Sequence, residues 1–342
     1  MKALELIAPS ELAVVEKSLP VAGEGEVLLE VKACGICGSD VHGMDGSSGR
    51  RIPPVVMGHE ASGVIAGLGK GVACWQVGER VTFDSTVFCG ECHFCCRGEV
   101  NLCESRQVMG VSCAEFHRDG AFAEFVVIPA HILHRLPEGL SFEEAAFAEP
   151  VGVALHAVSR VKPEGGETAV VVGAGLIGLL VVQALKKAGC GRVFAVDLDR
   201  ERLRLAEELG AEAGWHALED EVEGRLAEAT AGRGADIVME VVGATPTVRQ
   251  AVNLTRKGGK IGLVGNLAPE VDFPLQAVVT RELSVFGSCA IAGEYPEALE
   301  AISSGEIRVR PLISASAPLG EGAAWFEKAK RGETLKVLLR PE

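Results

Sequence analysis

The sequence predicts an α/β chain in two parts, a β-rich barrel-like domain and a doubly wound parallel sheet, on three observations. Up to Glu149–Pro150 the chain is a series of short β-type runs broken by turns such as Glu24–Gly25 and Pro137–Gly139. Beyond that point apolar strands alternate with helical segments, the mark of a parallel sheet wrapped on both faces. At the first strand-to-helix passage, Val170–Val172 runs directly into Gly173-Ala174-Gly175-Leu176-Ile177-Gly178.

In the first part, Val27–Val31, Ser62–Ile65, Arg80–Phe83 and Ala123–Ile128 are the strand candidates, suited to a twisted antiparallel domain. In the second, a helix is expected at Val151–Arg160, then a fully apolar strand at Thr168–Val172 and a helix from about Leu176 to Ala188. Arg192–Val196 is the next strand and Arg200–Leu209 a charged amphipathic helix. Strands follow at Asp236–Val241, Lys260–Val264 and Leu283–Phe286. A helix near Tyr295–Ile302 and a last strand at Leu335–Leu339 suit a return to the first domain. The expected division is therefore 1–150, completed by 290–342, with 151–289 as the parallel-sheet domain.

A chain of 342 residues has room for two such cores. Hydrophobic residues at 48% and charged residues at 23% are a soluble globular composition. The net charge of −14 argues against nucleic acid or an anionic membrane as partner. MKALELIAPSELAVV lacks the apolar core of a signal peptide and no long apolar run suggests a membrane span, so a cytoplasmic chain is expected.

The glycine turn points to a dinucleotide. Gly173 allows the tight turn, Gly175 lets a pyrophosphate approach the backbone, and Gly178 lets the helix pack against the sheet. The helix opening at Leu176 and Ile177 presents free N–H groups to phosphates. Asp197, at the end of the next strand, is placed to accept from adenosine ribose hydroxyls and to repel a 2′-phosphate, which favours NAD over NADP. Arg202 either helps position the ribose or is a solvated helix arginine, and Val264, ending its strand, is a further cofactor candidate.

Eleven cysteines are present, and Cys89, Cys92, Cys95 and Cys103 are spaced C-x-x-C-x-x-C-x7-C. In a reducing compartment such a cluster reads as metal ligands rather than disulfides. Four thiolates close a tetrahedron around zinc, a structural site holding a lobe at about 89–103 with too few apolar residues to fold alone. Cys96 is read as a spare thiol, and Cys34, Cys74, Cys113, Cys190 and Cys289 as small buried hydrophobes.

The glycine-rich stretch from Cys34 to Glu60 gathers a second donor set. A catalytic zinc needs three protein ligands and a vacant fourth place. Cys37 and His59 are two candidates, with Glu60 or Glu149 as the third. Neighbours on an extended chain point to opposite faces, so Glu60 joins His59 only if the backbone turns there, which Gly58 permits. Ser39 and His42 suit a relay that carries an alcohol proton to solvent. His156 is assigned to a helix surface or core, and Arg50–Arg51 to a solvated basic pair. His93, His117, His131, His134 and His216 receive no role.

CGICGSDVH, GHEASGVI, CGECHFCCRGEVNLC, AEPVGVALHA and VVVGAGLIGLL together resemble the zinc-containing medium-chain dehydrogenase/reductase family over essentially the whole chain. The resemblance implies a GroES-like catalytic domain, a Rossmann domain, NAD, two zinc ions per chain and a homodimer or homotetramer. Glu149–Pro150 looks like the polyol (sorbitol) and threonine dehydrogenase branches. By that resemblance Cys37, His59 and Glu60 match the catalytic-zinc motif, Glu149 the extra glutamate, and Ser39 and His42 the proton relay. Where sorbitol-type members carry an Arg-Tyr pair, Gly287–Ile291 offers Ala290 and Ile291, which leaves a related sugar alcohol, a sugar phosphate or another secondary alcohol open.

The expected reaction is NAD-dependent oxidation of a small secondary alcohol, of polyol or sugar-derivative type, to a ketone. The enzymatic alternative is an L-threonine 3-dehydrogenase-like or other secondary-alcohol dehydrogenase. The non-enzymatic one is an NAD-binding structural protein.

Overall fold

The computed structural model describes residues 1–341 and divides into two compact units, Met1–Glu149 with Ile291–Glu342, and Pro150–Ala290. None of the helices among the described residues is long and apolar enough to cross a membrane.

The first unit is built on a seven-stranded sheet. Its order is Leu133–Arg135, Arg80–Phe83, Glu60–Leu68, Glu26–Gly35, Lys336–Arg340 and Ile313–Pro318, with Phe125–Pro129 also pairing Glu26–Gly35. Glu26–Gly35 sets this sheet because Val27, Leu29, Val31 and Ala33 alternate inward along it, the period-two pattern of a half-buried strand. Those side chains join a core with Phe83, Phe122, Ile128, Phe326 and Leu339. The returning strand Lys336–Arg340 pairs antiparallel with it, Leu338 opposite Gly35 and Leu339 opposite Cys34. That pairing brings the far end of the sequence beside the Cys34–Glu60 stretch.

Several elements of this unit lie outside those expected from the sequence. Lys2–Ala8 and Glu11–Glu16 form an N-terminal hairpin that Val55–Val56 extends, Ile313–Pro318 forms an edge strand, and Gly38–Gly43 is a short helix within the glycine-rich stretch. The hairpin was hidden because Glu5, Glu11 and Glu16 interrupt its apolar run.

In the second unit six parallel strands stand in the order Ala213–His216, Arg192–Asp197, Thr168–Val172, Ala235–Glu240, Thr255–Leu263 and Ser284–Gly287. Thr168–Val172 is central and buried at every position, which is why it reads as an unbroken apolar run. Chain order reverses on its two sides: Arg192–Asp197 lies on one and Ala235–Glu240 on the other. That is a topological switch point, where open parallel sheets bind ligands beyond the carboxyl ends of their strands. Ala213–His216 had not been read as a strand, and Thr255–Leu263 begins earlier than Lys260.

Candidate metal and dinucleotide sites

Donor atoms of Cys37, His59 and Glu60 lie within 4.8 Å of one another, and His59 and Glu60 are buried. Cys37 caps the helix Gly38–Gly43 at its N-terminus. Gly58 turns the backbone with φ +96°, after which Glu60 opens the strand Glu60–Leu68. A Cβ at Gly58 would meet the Cys34 Sγ at 2.8 Å and the Phe122 backbone N at 2.9 Å, so the turn also depends on close approach. This turn lets two adjacent residues contribute to one cluster.

Each donor has a second partner. His59 Nδ1 lies 3.5 Å from Asp40 Oδ1, which directs the other ring nitrogen to the cluster. Asp40 is fully buried and takes Arg51 Nη2 at 2.8 Å. Arg51 is therefore not part of a solvated pair: only 4% exposed, it is the counter-charge of a buried acid. Burial pushes the Asp40 carboxyl up, but His59 and Arg51 outweigh it and hold the group well below the usual carboxylate range. Glu60 Oε2 accepts from the buried Lys336 ammonium, which also donates to the Ile36 carbonyl at 2.8 Å. That leaves Oε1 of Glu60 for the cluster.

Glu149 lies outside the three-donor group. It is buried, and its Oε1 accepts from the Ser85 hydroxyl at 3.3 Å. Burial raises its carboxyl to about 7, with His59 opposing and the Glu60 and Asp84 carboxylates adding to the rise. Burial likewise raises Asp84 to about 6, against the backbone N–H of Thr86. His59 itself is lowered by burial, yet Asp40 and Cys37 hold it well above the usual imidazole range. The site thus concentrates negative charge with two buried cations beside it, and a divalent metal is the charge that the donors fit.

Ser39 and His42 are both exposed, three apart on one face of Gly38–Gly43. Ser39 Oγ donates to Cys37 Sγ at 3.3 Å. Cys37, Val41 and His42 line a cavity of about 100 Å³ together with Ala329 and Leu335.

The second cluster is Cys89, Cys92, Cys95 and Cys103, again within 4.8 Å. Cys103 Sγ is 3.6 Å from Cys89 Sγ, and Cys89 Sγ is 3.9 Å from Cys95 Sγ. Backbone N–H groups already point at the sulfurs, Cys92 N to Cys89 Sγ and Cys89 N to Cys103 Sγ, as a thiolate site requires. Cys96 turns away to the Glu91 carbonyl. Of the other thiols, Cys34 and Cys190 are buried, but Cys74 and Cys289 are exposed and Cys113 half-buried, which corrects the uniform buried reading. His156 is buried.

In the second unit, Gly175 caps the helix Leu176–Lys187, with Leu176 and Ile177 in its first turn. A Cβ at Gly178 would stand 1.8 Å from the Gly173 carbonyl oxygen, so only glycine fits there. Asp197 Oδ2 accepts from the Ala174 N–H at 2.6 Å, which places its carboxylate at the glycine turn. Arg202 Nε sits 3.5 Å from Asp199 Oδ2, and Arg200 pairs with Glu219. Val264 donates its N–H to the Glu240 carbonyl at 2.9 Å, just beyond Thr255–Leu263.

Sequence reasoning missed Asp40, Lys336, Ser85 and Asp84. Asp40 stood in plain view between Ser39 and His42. Lys336 was visible only as a charge heading an apolar strand.

A parallel dinucleotide-type sheet joined in one chain to a unit with two metal-ligand clusters defines a metal-dependent oxidoreductase. Residues 177–304 match the profile of the zinc-binding dehydrogenases, and residues 23–138 that of the alcohol dehydrogenase GroES-like domain. The chain is 36% identical over 334 residues to sorbitol dehydrogenase of Halalkalibacterium halodurans, covering 96% of this chain and 95% of that one. It is 36% identical to D-xylulose reductase A of Aspergillus oryzae, covering 92% and 89%. A zinc-binding dehydrogenase of Sinorhizobium meliloti, solved with NADP, superposes with a TM-score of 0.92 at 32% identity over 99% of each chain. This chain belongs to the zinc-binding dehydrogenase family, with a GroES-like and a Rossmann domain, and is an oxidoreductase acting on a small molecule.

Proposed function

We propose that this enzyme oxidises a secondary alcohol of polyol or sugar-derivative type to a ketone, reversibly, with zinc and NAD. The observation that carries the reading is the Cys37–His59–Glu60 cluster, its His59 and Glu60 buried, beside the exposed Ser39 and His42. The similarity to proteins named for sorbitol and D-xylulose supports the substrate class.

In this reading Cys37, His59 and Glu60 hold the catalytic zinc, because these three converge and Glu60 keeps one oxygen clear of Lys336. A zinc ion there supplies a Lewis acid that lowers the pKa of the alcohol oxygen. Glu149, outside the three-donor group and bonded to Ser85, then acts beside the cluster rather than as a first ligand. Ser39 accepts the alcohol proton and His42 passes it to solvent, since both lie on the exposed helix face. Cys89, Cys92, Cys95 and Cys103 hold a structural zinc that fixes their lobe.

Gly173 to Gly178 and Asp197 take the NAD pyrophosphate and adenosine ribose. Arg200 is engaged by Glu219 and Arg202 lies against Asp199, so neither is an uncommitted cation for a 2′-phosphate. That favours NAD although the S. meliloti protein was solved with NADP. A cytoplasmic homotetramer or homodimer completes the proposal.

A panel of polyols, sugar phosphates, simple secondary alcohols and L-threonine, scored by NADH absorbance, tests it. Turnover is expected on polyols or sugar derivatives. Turnover confined to L-threonine or other amino alcohols would reject the substrate class.

A further inference from the structure

Glu240 is the last residue of Ala235–Glu240, has no exposed surface, and stands opposite Val172, the residue before the Gly173 turn. It therefore lies at the switch point of the sheet, on the side facing the glycine turn across the crevice. Its Oε1 accepts from two consecutive backbone groups, the N–H of Val242 at 3.0 Å and of Gly243 at 2.8 Å. Its Oε2 is buried and finds no hydrogen-bond partner among the described residues.

The loop that Glu240 ties down touches both neighbours. Val242 packs against Gly173, where an added Cβ would meet its Cγ2 at 2.6 Å. Gly243, at φ +83°, lies so close to the next loop that a Cβ would stand 2.4 Å from Asn266 N. A Cβ at Gly265 would in turn meet Gly243 N at 2.2 Å. The Gly243 carbonyl accepts from Ala268 N at 2.9 Å, and the Glu240 carbonyl from Val264 N at 2.9 Å. Three loops at the carboxyl ends of three strands are thus in close contact, and one carboxylate oxygen binds two consecutive N–H groups of the middle one.

We propose that Glu240 is a positioning residue for the cofactor: through Oε1 it holds Val241–Gly243 as the second wall of the dinucleotide crevice, opposite Gly173–Gly178. The inference rests on the dinucleotide reading above. One oxygen accepting from two consecutive backbone N–H groups fixes the direction of both peptide units and so the shape of the loop. The role asks for an acceptor oxygen at the position of Oε1, where the Val242 and Gly243 N–H groups converge. Glutamine keeps that oxygen, aspartate draws it back by one methylene, and alanine removes it.

NADH binding by fluorescence titration of the zinc-loaded enzyme tests this on Glu240→Gln, Glu240→Asp and Glu240→Ala, with the KM for NAD and kcat measured alongside. E240Q is expected to bind within about threefold of wild type, and E240D and E240A about tenfold more weakly. In E240D and E240A the KM for NAD should rise with the loss of NADH affinity, and by more than kcat changes. If E240A does not fold, E240D carries the comparison. Equal NADH affinity in E240D and wild type would overturn the proposal. So would E240Q binding as weakly as E240D, or tighter than wild type by more than about threefold, since either assigns the effect to charge. Failure of the wild-type enzyme itself to bind NADH would instead sink the dinucleotide reading.

Discussion

His59 Nδ1 and Asp40 Oδ1 stand 3.5 Å apart in a buried pair, and the same Asp40 oxygen takes Arg51 at 2.8 Å. The carboxylate fixes the ring orientation and increases the basicity of the nitrogen offered to the metal, a kind of support whose loss weakens metal binding about 10–100-fold. Asp40→Asn should therefore weaken zinc at the Cys37–His59–Glu60 cluster by that factor and leave the four-cysteine cluster loaded. Competition with a chromophoric chelator, resolved into two classes of zinc, checks it. Equal retention at both clusters would show that Asp40 serves only Arg51.

Lys336 and Glu60 form an ion pair almost entirely removed from water. Removing one partner leaves the other charge buried alone, at a cost of roughly 3–5 kcal/mol. Lys336→Met should lower the melting temperature markedly, and Lys336→Met combined with Glu60→Gln should recover part of the loss. Calorimetry on the two variants decides; a double variant no more stable than the single would mean that the pair is not the source of the loss.

These partners show where the sequence was readable. Thr168–Val172 and its glycine turn are local signals, because a fully buried strand and a phosphate-type turn each declare themselves within a few residues. The convergence of His59 with Glu60 followed from Gly58, again a local feature. Lys336 is separated from Glu60 by 276 residues, and nothing near either names the other. Arg51 looked like half of a basic surface pair, since sequence neighbours do not reveal that one arginine points inward to Asp40. The helix Gly38–Gly43 was hidden by its glycines and its shortness; Cys37 anchors it and supplies no side-chain cap.

His134 stacks on the buried Tyr295 at 4.6 Å between centroids, and burial pushes its imidazole down to about 4. The unfolded chain takes up that proton near pH 6.5, before the folded one does. Stability linked to His134 is thus intact above about pH 6.5 and is lost progressively as pH falls toward 4. His134→Phe, which keeps the ring stack, should melt at a temperature that falls less steeply than wild type between pH 6.5 and 4. Parallel melting curves across that window would contradict it.

Asp197 accepts from Ala174 N and is the acid proposed to meet the adenosine ribose. Loss of a hydrogen bond to a charged group costs roughly 1.5–3 kcal/mol. Asp197→Ala should lower kcat/KM for NAD by about ten- to a hundredfold and narrow its advantage over NADP. Initial rates with both cofactors at one alcohol concentration provide the test, and an unchanged NAD to NADP ratio would remove Asp197 from cofactor choice.

Zinc content and turnover measured together on Cys37→Ser bear most directly on the central claim. Wild type should hold two zinc ions per chain, one for each donor cluster. The folded variant should keep the zinc of Cys89, Cys92, Cys95 and Cys103, lose the other, and show no NAD reduction with an alcohol that wild type oxidises. Undiminished turnover in chelator-treated Cys37→Ser would contradict the account, because the oxidation would then proceed without the metal that Cys37, His59 and Glu60 are proposed to hold.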